Sequence, residues 1–98
     1  QNIRVRPTEV KPVSLTDILD RLNAPAQFDL LSVDAEEHDF QVLRSLDMDK
    51  YIPKHIIVED ETFDPIAPED NVIFNFLTNK GYRLNGFILK NIYFEKIT

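Results

Sequence analysis

The sequence has 98 residues, enough for one small domain, and its hydrophobic content of 43% argues against a disordered chain. The net charge of −6 repels phosphate backbones, so nucleic acid is not expected as a partner. Cysteine is absent, which excludes disulfides and thiolate metal ligands. Because this composition is compatible with a reducing compartment, we expect a cytoplasmic protein. No apolar run approaches the roughly 20 residues that cross a bilayer, although a signal or anchor ahead of Gln1 stays open.

The N-terminal part predicts a short strand followed by a short helix. Ile3 and Val5 alternate with polar residues until Pro7, a pattern typical of a strand. Ser14 then begins a sequence like a capping box, with Asp17 in the place usually held by glutamate. The apolar stripe of the predicted helix consists of Leu15, Ile18, Leu19 and Leu22.

Two apolar runs of strand length follow, with a helical pattern between them. Residues 28–33 read FDLLSV, and such continuous hydrophobicity predicts a strand that is covered on both faces of a parallel sheet. Residues 40–46 carry helical spacing, and residues 55–59 (HIIVE) form the second apolar run. Strand, helix and strand of these lengths make a βαβ unit, whose crossover is right-handed.

The C-terminal part predicts a helix and then an antiparallel hairpin. Two prolines in residues 62–68 prevent a continuous helix there, and helical spacing runs from about residue 69 to residue 79. Gly81 follows, where a C-terminal cap favours positive φ. Beyond it are two runs rich in β-forming residues, with a predicted turn at Lys90-Asn91. Asn85-Gly86 is a competing turn signal. Without repeats or composition breaks, the chain is predicted to be one α/β unit.

Acidic clusters follow both predicted parallel strands. The first is residues 34–39 (DAEEHD), and the second is residues 59–61 (EDE). Ligands of open α/β sheets bind outside the carboxyl ends of the strands, so the two clusters together mark the candidate site. For any one of these acids the alternative is structural, because a carboxylate in the first turn of a helix caps free amides.

Two further chemistries fit this candidate site. His38 has a reference pKa of about 6.5, which suits proton abstraction from a hydroxyl, and the alternative is an exposed histidine in the first turn of a helix. Carboxylates are also the oxygen donors that Mg²⁺ accepts. We nevertheless expect no metal, because the sequence has no compact ligand spacing such as an EF-hand loop. The carboxylates in question are Asp34, Glu36, Asp60 and Glu61.

Residues 30–46 (LLSVDAEEHDFQVLRSL) resemble the FkbM family of S-adenosylmethionine-dependent methyltransferases. The hallmark there is F-L-K-I-D-V-E-G-x-E followed by L-x-V-L-x-G-L. The residues on matching positions are Leu31, Val33, Asp34, Glu36, Asp39, Phe40, Val42, Leu43 and Leu46. The resemblance continues in residues 13–19 (V-x-L-D-D-L-L in the family), 51–59 (Y-x-P-K-x-I-x-x-E), 81–82 (G-Y) and 91–94 (N-x-x-F). Several motifs in the right order are more specific than one.

The chain departs from the hallmark at three positions. Ser32 replaces its lysine, Glu37 its glycine, and Asp39 its second glutamate. A glycine would allow a tight turn or the close approach of a ligand, and Glu37 places a side chain in that space. Ser32 and Glu37 therefore favour an alternative function, a catalytically silent binding or assembly module that retains the fold.

The resemblance implies the C-terminal part of a Rossmann-like class I methyltransferase fold, with parallel strands and a terminal antiparallel hairpin. It implies S-adenosylmethionine as cofactor and a hydroxyl of a small metabolite or glycan as acceptor. Asp34 and Glu36 would face the cofactor and the acceptor. The other implied roles are acceptor orientation or deprotonation by His38 or Asp39, and shaping of the acceptor side by Glu59 and Asp60.

The glycine-rich loop that cradles the cofactor in this fold is not found here. The two glycines, Gly81 and Gly86, both lie in the C-terminal part. We therefore expect residues 1–98 to be a fragment of one methyltransferase domain that lacks the cofactor-binding half and is inactive alone. In the complete domain, the first strand would flank residues 28–33. In the fragment we expect this bare edge to self-associate, or to pair with residues 2–6.

Overall fold

The computed structural model describes residues 2–5, 14–34 and 39–97, and it confirms the α/β fold class. The helix predicted from about residue 69 is divided, because Asn71 caps a separate helix after a short 3-10 turn. In the described part of the chain, no helix is long and apolar enough to cross a membrane. The elements are β1 (Asn2–Val5), α1 (Leu15–Arg21), β2 (Leu30–Val33), α2 (Asp39–Arg44), β3 (His55–Glu59), a 3-10 helix (Pro68–Asp70), α3 (Val72–Asn79), β4 (Tyr82–Ile88) and β5 (Asn91–Lys96).

The strands form one sheet in the order β1-β2-β3-β5-β4. β1, β2 and β3 are parallel, and β5 is antiparallel to both of its neighbours. This arrangement confirms the parallel strands and the terminal antiparallel hairpin. The expectation of a bare edge beside residues 28–33 was wrong, because β1 pairs with β2 along its whole length. The alternative, pairing with the N-terminal segment, is confirmed for residues 2–5, and Arg6 lies outside the described residues.

The sheet is covered on one face by the helices that the structure describes, which corrects the prediction of a strand covered on both faces. In β2, Leu31 and Val33 are buried, whereas Leu30 and Ser32 are only half-buried. β3 alternates in the same way. The buried face joins α1, α2 and α3 in a single core. The cause is topological, because right-handed crossovers that add parallel strands in one direction place their helices on the same side.

The hairpin turn lies at Leu89-Lys90, one residue earlier than the sequence predicted. The pair Ile88↔Asn91 closes it, and the competing signal Asn85-Gly86 falls instead at a register shift within β4. Burial of side chains in the core explains why the turn forms at Leu89-Lys90 and not at Asn85-Gly86. Ile92 and Phe94 are almost completely buried, next to Val58 and Ile56 of β3, and a turn at Asn85-Gly86 would leave both outside the hairpin.

Candidate functional site

The acidic clusters meet at one edge of the sheet, here called the carboxyl edge and defined as residues 34, 39, 59–61 and 88–91. Val33 pairs with Val58, so Asp34, directly after β2, lies at the same height as Glu59, the last residue of the neighbouring β3. Glu59 in turn pairs with Asn91 of β5. The structure therefore brings together the described members of both clusters, as predicted. Glu36, Glu37 and His38 lie outside the described residues.

Asp34 presents a carboxylate at the surface of this edge. Its side chain is 33% exposed, and its Oδ2 lies 3.7 Å from Nη2 of Arg4 on β1. An ion pair between partly exposed groups contributes less than about 1 kcal/mol to stability. The contact with Arg4 therefore orients the carboxylate of Asp34 but adds little to the stability of the fold. The carboxylate remains accessible to a ligand.

Asp39 differs from Asp34, because it is buried and holds two elements together. Its exposed fraction is 3%, and its Oδ2 accepts a hydrogen bond of 3.1 Å from the backbone N–H of Glu59. This bond fixes the first residue of α2 to the last residue of β3. The geometry supports a positioning role for Asp39 in the frame of the site.

Asp60 organises the loop between β3 and α3. Its Oδ1 accepts bonds from the backbone N–H and the hydroxyl of Thr62, at 2.9 and 2.6 Å. Its Oδ2 accepts a bond of 2.7 Å from the amide of Asn71, a buried side chain that also caps α3 by accepting from the N–H of Phe74. Sequence reasoning missed Asn71, although an asparagine just after a proline-led turn is an ordinary N-cap signal.

Lys90 is the second residue that sequence reasoning missed at this edge. Its Nζ lies 2.9 Å from Oε1 of Glu59 and 3.5 Å from Oε1 of Glu61. Its carbonyl accepts the N–H of Asp60 at 2.8 Å. The hydrogen bond to Glu59 is the main cause that raises the pKa of Lys90, so the ammonium stays charged. The hairpin turn is thereby fastened to the end of β3.

An open cavity of about 290 Å³ lies on the α3 side of this loop. Two of its lining residues, Asp64 and Asp70, are acidic, yet within residues 2–5, 14–34 and 39–97 no three histidine or carboxylate side chains are placed to hold a metal ion. The residues that line the cavity are Thr62, Asp64, Ala67, Asp70, Asn71 and Val72.

The family model of the methyltransferase FkbM domain matches residues 2–84. The chain belongs to this family. The match runs from β1 into β4, so it includes both acidic clusters and confirms the resemblance in their motif. Searches of curated proteins and of solved structures found no match. The FkbM domain indicates a methyltransferase, and the turn at Leu89-Lys90 lies beyond the matched range.

Proposed function

We propose that this chain is part of an S-adenosylmethionine-dependent O-methyltransferase whose acceptor binds at the carboxyl edge. The observation that carries the proposal is the family match over residues 2–84, together with the positions of Asp34 and Glu59 at the ends of neighbouring parallel strands. Open α/β sheets bind their ligands at this end of the strands.

S-adenosylmethionine, when bound, supplies an electrophilic methyl group on a cationic sulfur. The donor set at the described edge fits such a molecule, because Asp34 offers surface oxygens that accept hydrogen bonds from amino and hydroxyl groups. Glu36 is proposed to join Asp34 on the cofactor side. This role rests on the motif alone, since Glu36 is not among the described residues.

The protein has to align the acceptor oxygen and take up the proton that its hydroxyl loses. We propose His38 as the base that takes this proton, on the strength of its place in the acidic cluster after the strand and its reference pKa of about 6.5. Asp39 would act as a positioning residue, through its bond to the backbone of Glu59.

The acceptor is proposed to be a hydroxyl of a small metabolite or glycan, with Glu59 and Asp60 on its side of the cleft. The carboxylate of Glu59 is 23% exposed and is oriented by Lys90. Asp60 would act indirectly, because both of its oxygens hold the neighbouring loop and Asn71. In this arrangement Glu59 binds the acceptor, and Asp60 shapes the surface beside it.

We further propose that a complete cofactor site needs residues beyond these 98. Gly81 follows α3 and Gly86 lies within β4, so neither is placed in a loop after a parallel strand. Dinucleotide and nucleoside cofactors in related sheets are cradled by such glycine-rich loops. The chain alone is therefore proposed to be inactive. The cytoplasmic location remains a prediction from composition.

The decisive experiment replaces Asp34 by asparagine in the complete protein. Calorimetric titration with S-adenosylmethionine should show binding to the wild type and at least tenfold weaker binding to Asp34→Asn, with an unchanged unfolding midpoint. The matched control is Asp29→Asn, which removes another partly exposed acid that forms an ion pair, 3.8 Å from Lys54 at the opposite edge. This control should bind the cofactor as the wild type does.

Two results would contradict the proposal. If Asp34→Asn unfolds the protein, Asp34 is a structural cap. If the wild-type complete protein does not bind S-adenosylmethionine, the second candidate function stands, a silent binding or assembly module. The observation that favours this second candidate is the departure from the hallmark at Ser32 and Glu37.

A further inference from the structure

Large apolar side chains are exposed mainly at the carboxyl edge and in the segment between β3 and the start of α3. Leu22 and Ile97, which are also more than half exposed, lie at the other edge, at the end of α1 and beyond β5. The remaining residues of this kind in the described part of the chain follow β3, begin α3 or form the hairpin tip. We call these four the apolar rim: Ile66 (91% exposed), Val72 (58%), Ile88 (62%) and Leu89 (85%).

Leu89 adopts a backbone conformation that leucine normally avoids. Its φ is +58°, in the left-handed region. Elsewhere the described chain uses suitable residues for positive φ, namely Asn23 (φ +54°) after α1 and Gly81 (φ +91°) after α3. The side chain of Leu89 is almost fully exposed, so burial of this side chain does not offset the backbone strain. A residue with a strained backbone whose side chain adds little packing to the fold is a candidate for a functional role.

The hairpin tip is fastened to the acceptor side of the proposed cleft. The N–H of Asp60 bonds to the carbonyl of Lys90, and the ammonium of Lys90 lies between Glu59 and Glu61. The ring of Phe63 packs against Phe87 with centroids 5.0 Å apart, so the loop that carries Ile66 lies against the same hairpin. These contacts hold the hairpin tip, with Ile88 and Leu89, beside Glu59 and Glu61, and they place the loop that carries Ile66 against the hairpin.

The charge of the edge limits what the rim can accept. Asp34, Glu59 and Glu61 face only two basic side chains among the described residues there, Arg4 and Lys90, and both are already within 4 Å of these carboxylates. A phosphate or carboxylate on the acceptor would meet net repulsion. A ligand that covers both parts of this edge therefore carries hydroxyls for the carboxylates and an apolar body for the rim.

We propose that the apolar rim binds the apolar body of an uncharged or cationic hydroxylated acceptor, with Leu89 as a specificity-determining residue. This inference rests on the proposed methyltransferase function, because it names the acceptor class of the same site. The family match covers residues 2–84, so Ile88 and Leu89 lie beyond the matched residues. Such a position suits a residue that selects a particular acceptor.

The test uses octyl β-glucoside as a probe, below its micellar concentration, and saturation-transfer NMR on the complete protein. Its hydroxyls and alkyl chain represent the two halves of the proposed acceptor. We expect saturation of the octyl chain, at least tenfold weaker binding of octyl phosphate, and no detectable binding of glucose. Leu89→Asn should weaken octyl glucoside binding at least fivefold, because it removes the apolar side chain while asparagine tolerates the positive φ.

The matched control is Ile97→Asn, which removes an exposed apolar residue from the opposite edge and should leave binding unchanged. Equal losses in both variants would overturn the inference, as would octyl phosphate that binds as tightly as the glucoside. Absence of probe binding would also overturn it. If Leu89→Asn instead abolishes a concentration-dependent dimer in sedimentation and no probe binds, the rim is a contact between copies and the acceptor assignment is wrong.

The experiments distinguish a failure of the proposed methyltransferase function from a failure of this inference about the acceptor. A complete protein that binds S-adenosylmethionine but not octyl glucoside overturns only the acceptor class. A protein that binds octyl glucoside through Leu89 but does not bind S-adenosylmethionine overturns the methyltransferase function and confirms the rim as a site for an apolar, hydroxylated ligand.

Discussion

The two edges of the sheet are built in opposite ways. The opposite edge is here called the amino edge and defined as residues 53–54, 81–82 and 96–97. There the backbone N–H of Lys96 donates to the carbonyl of Lys54, and that of Ile97 donates to the carbonyl of Gly81, each at 2.8 Å. The hydroxyl of buried Tyr82 donates to the carbonyl of Pro53 at 2.5 Å. At the carboxyl edge, one backbone bond joins Asp60 to Lys90, side-chain carboxylates make the other contacts described above, and a strained leucine stays exposed.

This difference indicates that contacts at the amino edge stabilise the fold, whereas the carboxyl edge also presents groups that are available for binding. Backbone bonds at the amino edge depend little on side-chain identity, so that edge is a frame. At the carboxyl edge the acids divide into two kinds. Asp39 and Asp60 use their oxygens to hold backbone and loop, whereas Asp34 and Glu59 stay within reach of solvent.

The largest expected effect tests this division at Asp39. Replacing Asp39 by alanine leaves the partly buried N–H of Glu59 without this acceptor, which should lower the free energy of unfolding by about 2 kcal/mol. Asp39→Asn is the matched control, because its amide oxygen can still accept the bond, and it should cost less than half as much. Urea unfolding followed by circular dichroism measures both.

Two results at Asp39 would break the comparison between the edges. If Asp39→Ala is as stable as the wild type, the acid is not part of the frame. If Asp39→Asn keeps full stability but abolishes methyl transfer by the complete protein, Asp39 belongs with the acids that touch the acceptor.

Gly81 provides the next largest effect, at the amino edge. A Cβ on Gly81 would lie 2.6 Å from Nζ of Lys96, and the φ of +91° disfavours any side chain. We expect Gly81→Ala to cost about 1–2 kcal/mol, mainly through the backbone, because the tip of a lysine can move away. Gly86→Ala is the control, since nothing lies within 4 Å of its Cβ position. Equal losses of stability would show that the backbone conformation at Gly81 is not the cause.

Tyr82 makes the amino edge sensitive to alkaline pH. Burial raises the pKa of the Tyr82 phenol well above its ordinary value of 10. The folded state therefore holds this proton more tightly than the unfolded state, so the contribution is complete below pH 10 and is lost as the pH rises above it. Tyr82→Phe should cost about 1 kcal/mol at neutral pH, because the carbonyl of Pro53 loses its donor.

The measurement for Tyr82 is the free energy of unfolding between pH 8 and pH 11. The wild type should lose stability above pH 10 more steeply than Tyr82→Phe. The Tyr51 phenol, whose pKa is raised mainly by its hydrogen bond to Asp20, contributes to the same slope, so Tyr51→Phe serves as the comparison. Identical alkaline slopes in the wild type and in Tyr82→Phe would contradict the assignment.

The sequence predicted those parts of the fold that depend on local periodicity. The stripe at Leu15 and Leu19, the apolar runs of β2 and β3, and the hairpin all follow from the spacing of apolar residues. Coverage of one face was not predictable in this way. A run such as FDLLSV has the same composition whether its second face meets a helix or solvent, and only the common handedness of the crossovers decides.

The candidate site was predictable in its place but not in the roles of its residues. The edge itself followed from two acidic clusters after parallel strands. Lys90 reaches Glu59 only because the register of β5 against β3 sets the turn at Leu89-Lys90, and that register depends on buried side chains far along the chain. Likewise, Asp60 could be assigned to the loop only once Asn71 was seen beside it.

The last expected effect, similar in size to that of Tyr82→Phe, is a gain in stability at Leu89. Leu89→Asn should raise the free energy of unfolding by about 1 kcal/mol, because asparagine adopts positive φ at lower cost and the lost side chain is 85% exposed. The control Ile88→Asn removes the neighbouring exposed apolar group at a residue without positive φ, so it should bring no gain. Urea midpoints of the two variants give the comparison.

The direction of the Leu89 effect decides what the strained turn is for. A more stable Leu89→Asn variant that also binds octyl glucoside more weakly would show that the chain gives up stability at this edge to present an apolar side chain. A less stable variant would mean that Leu89 packs against something that holds the fold. The carboxyl edge would then serve mainly to stabilise the fold, as the amino edge does, and the proposed difference between the two edges would not hold at Leu89.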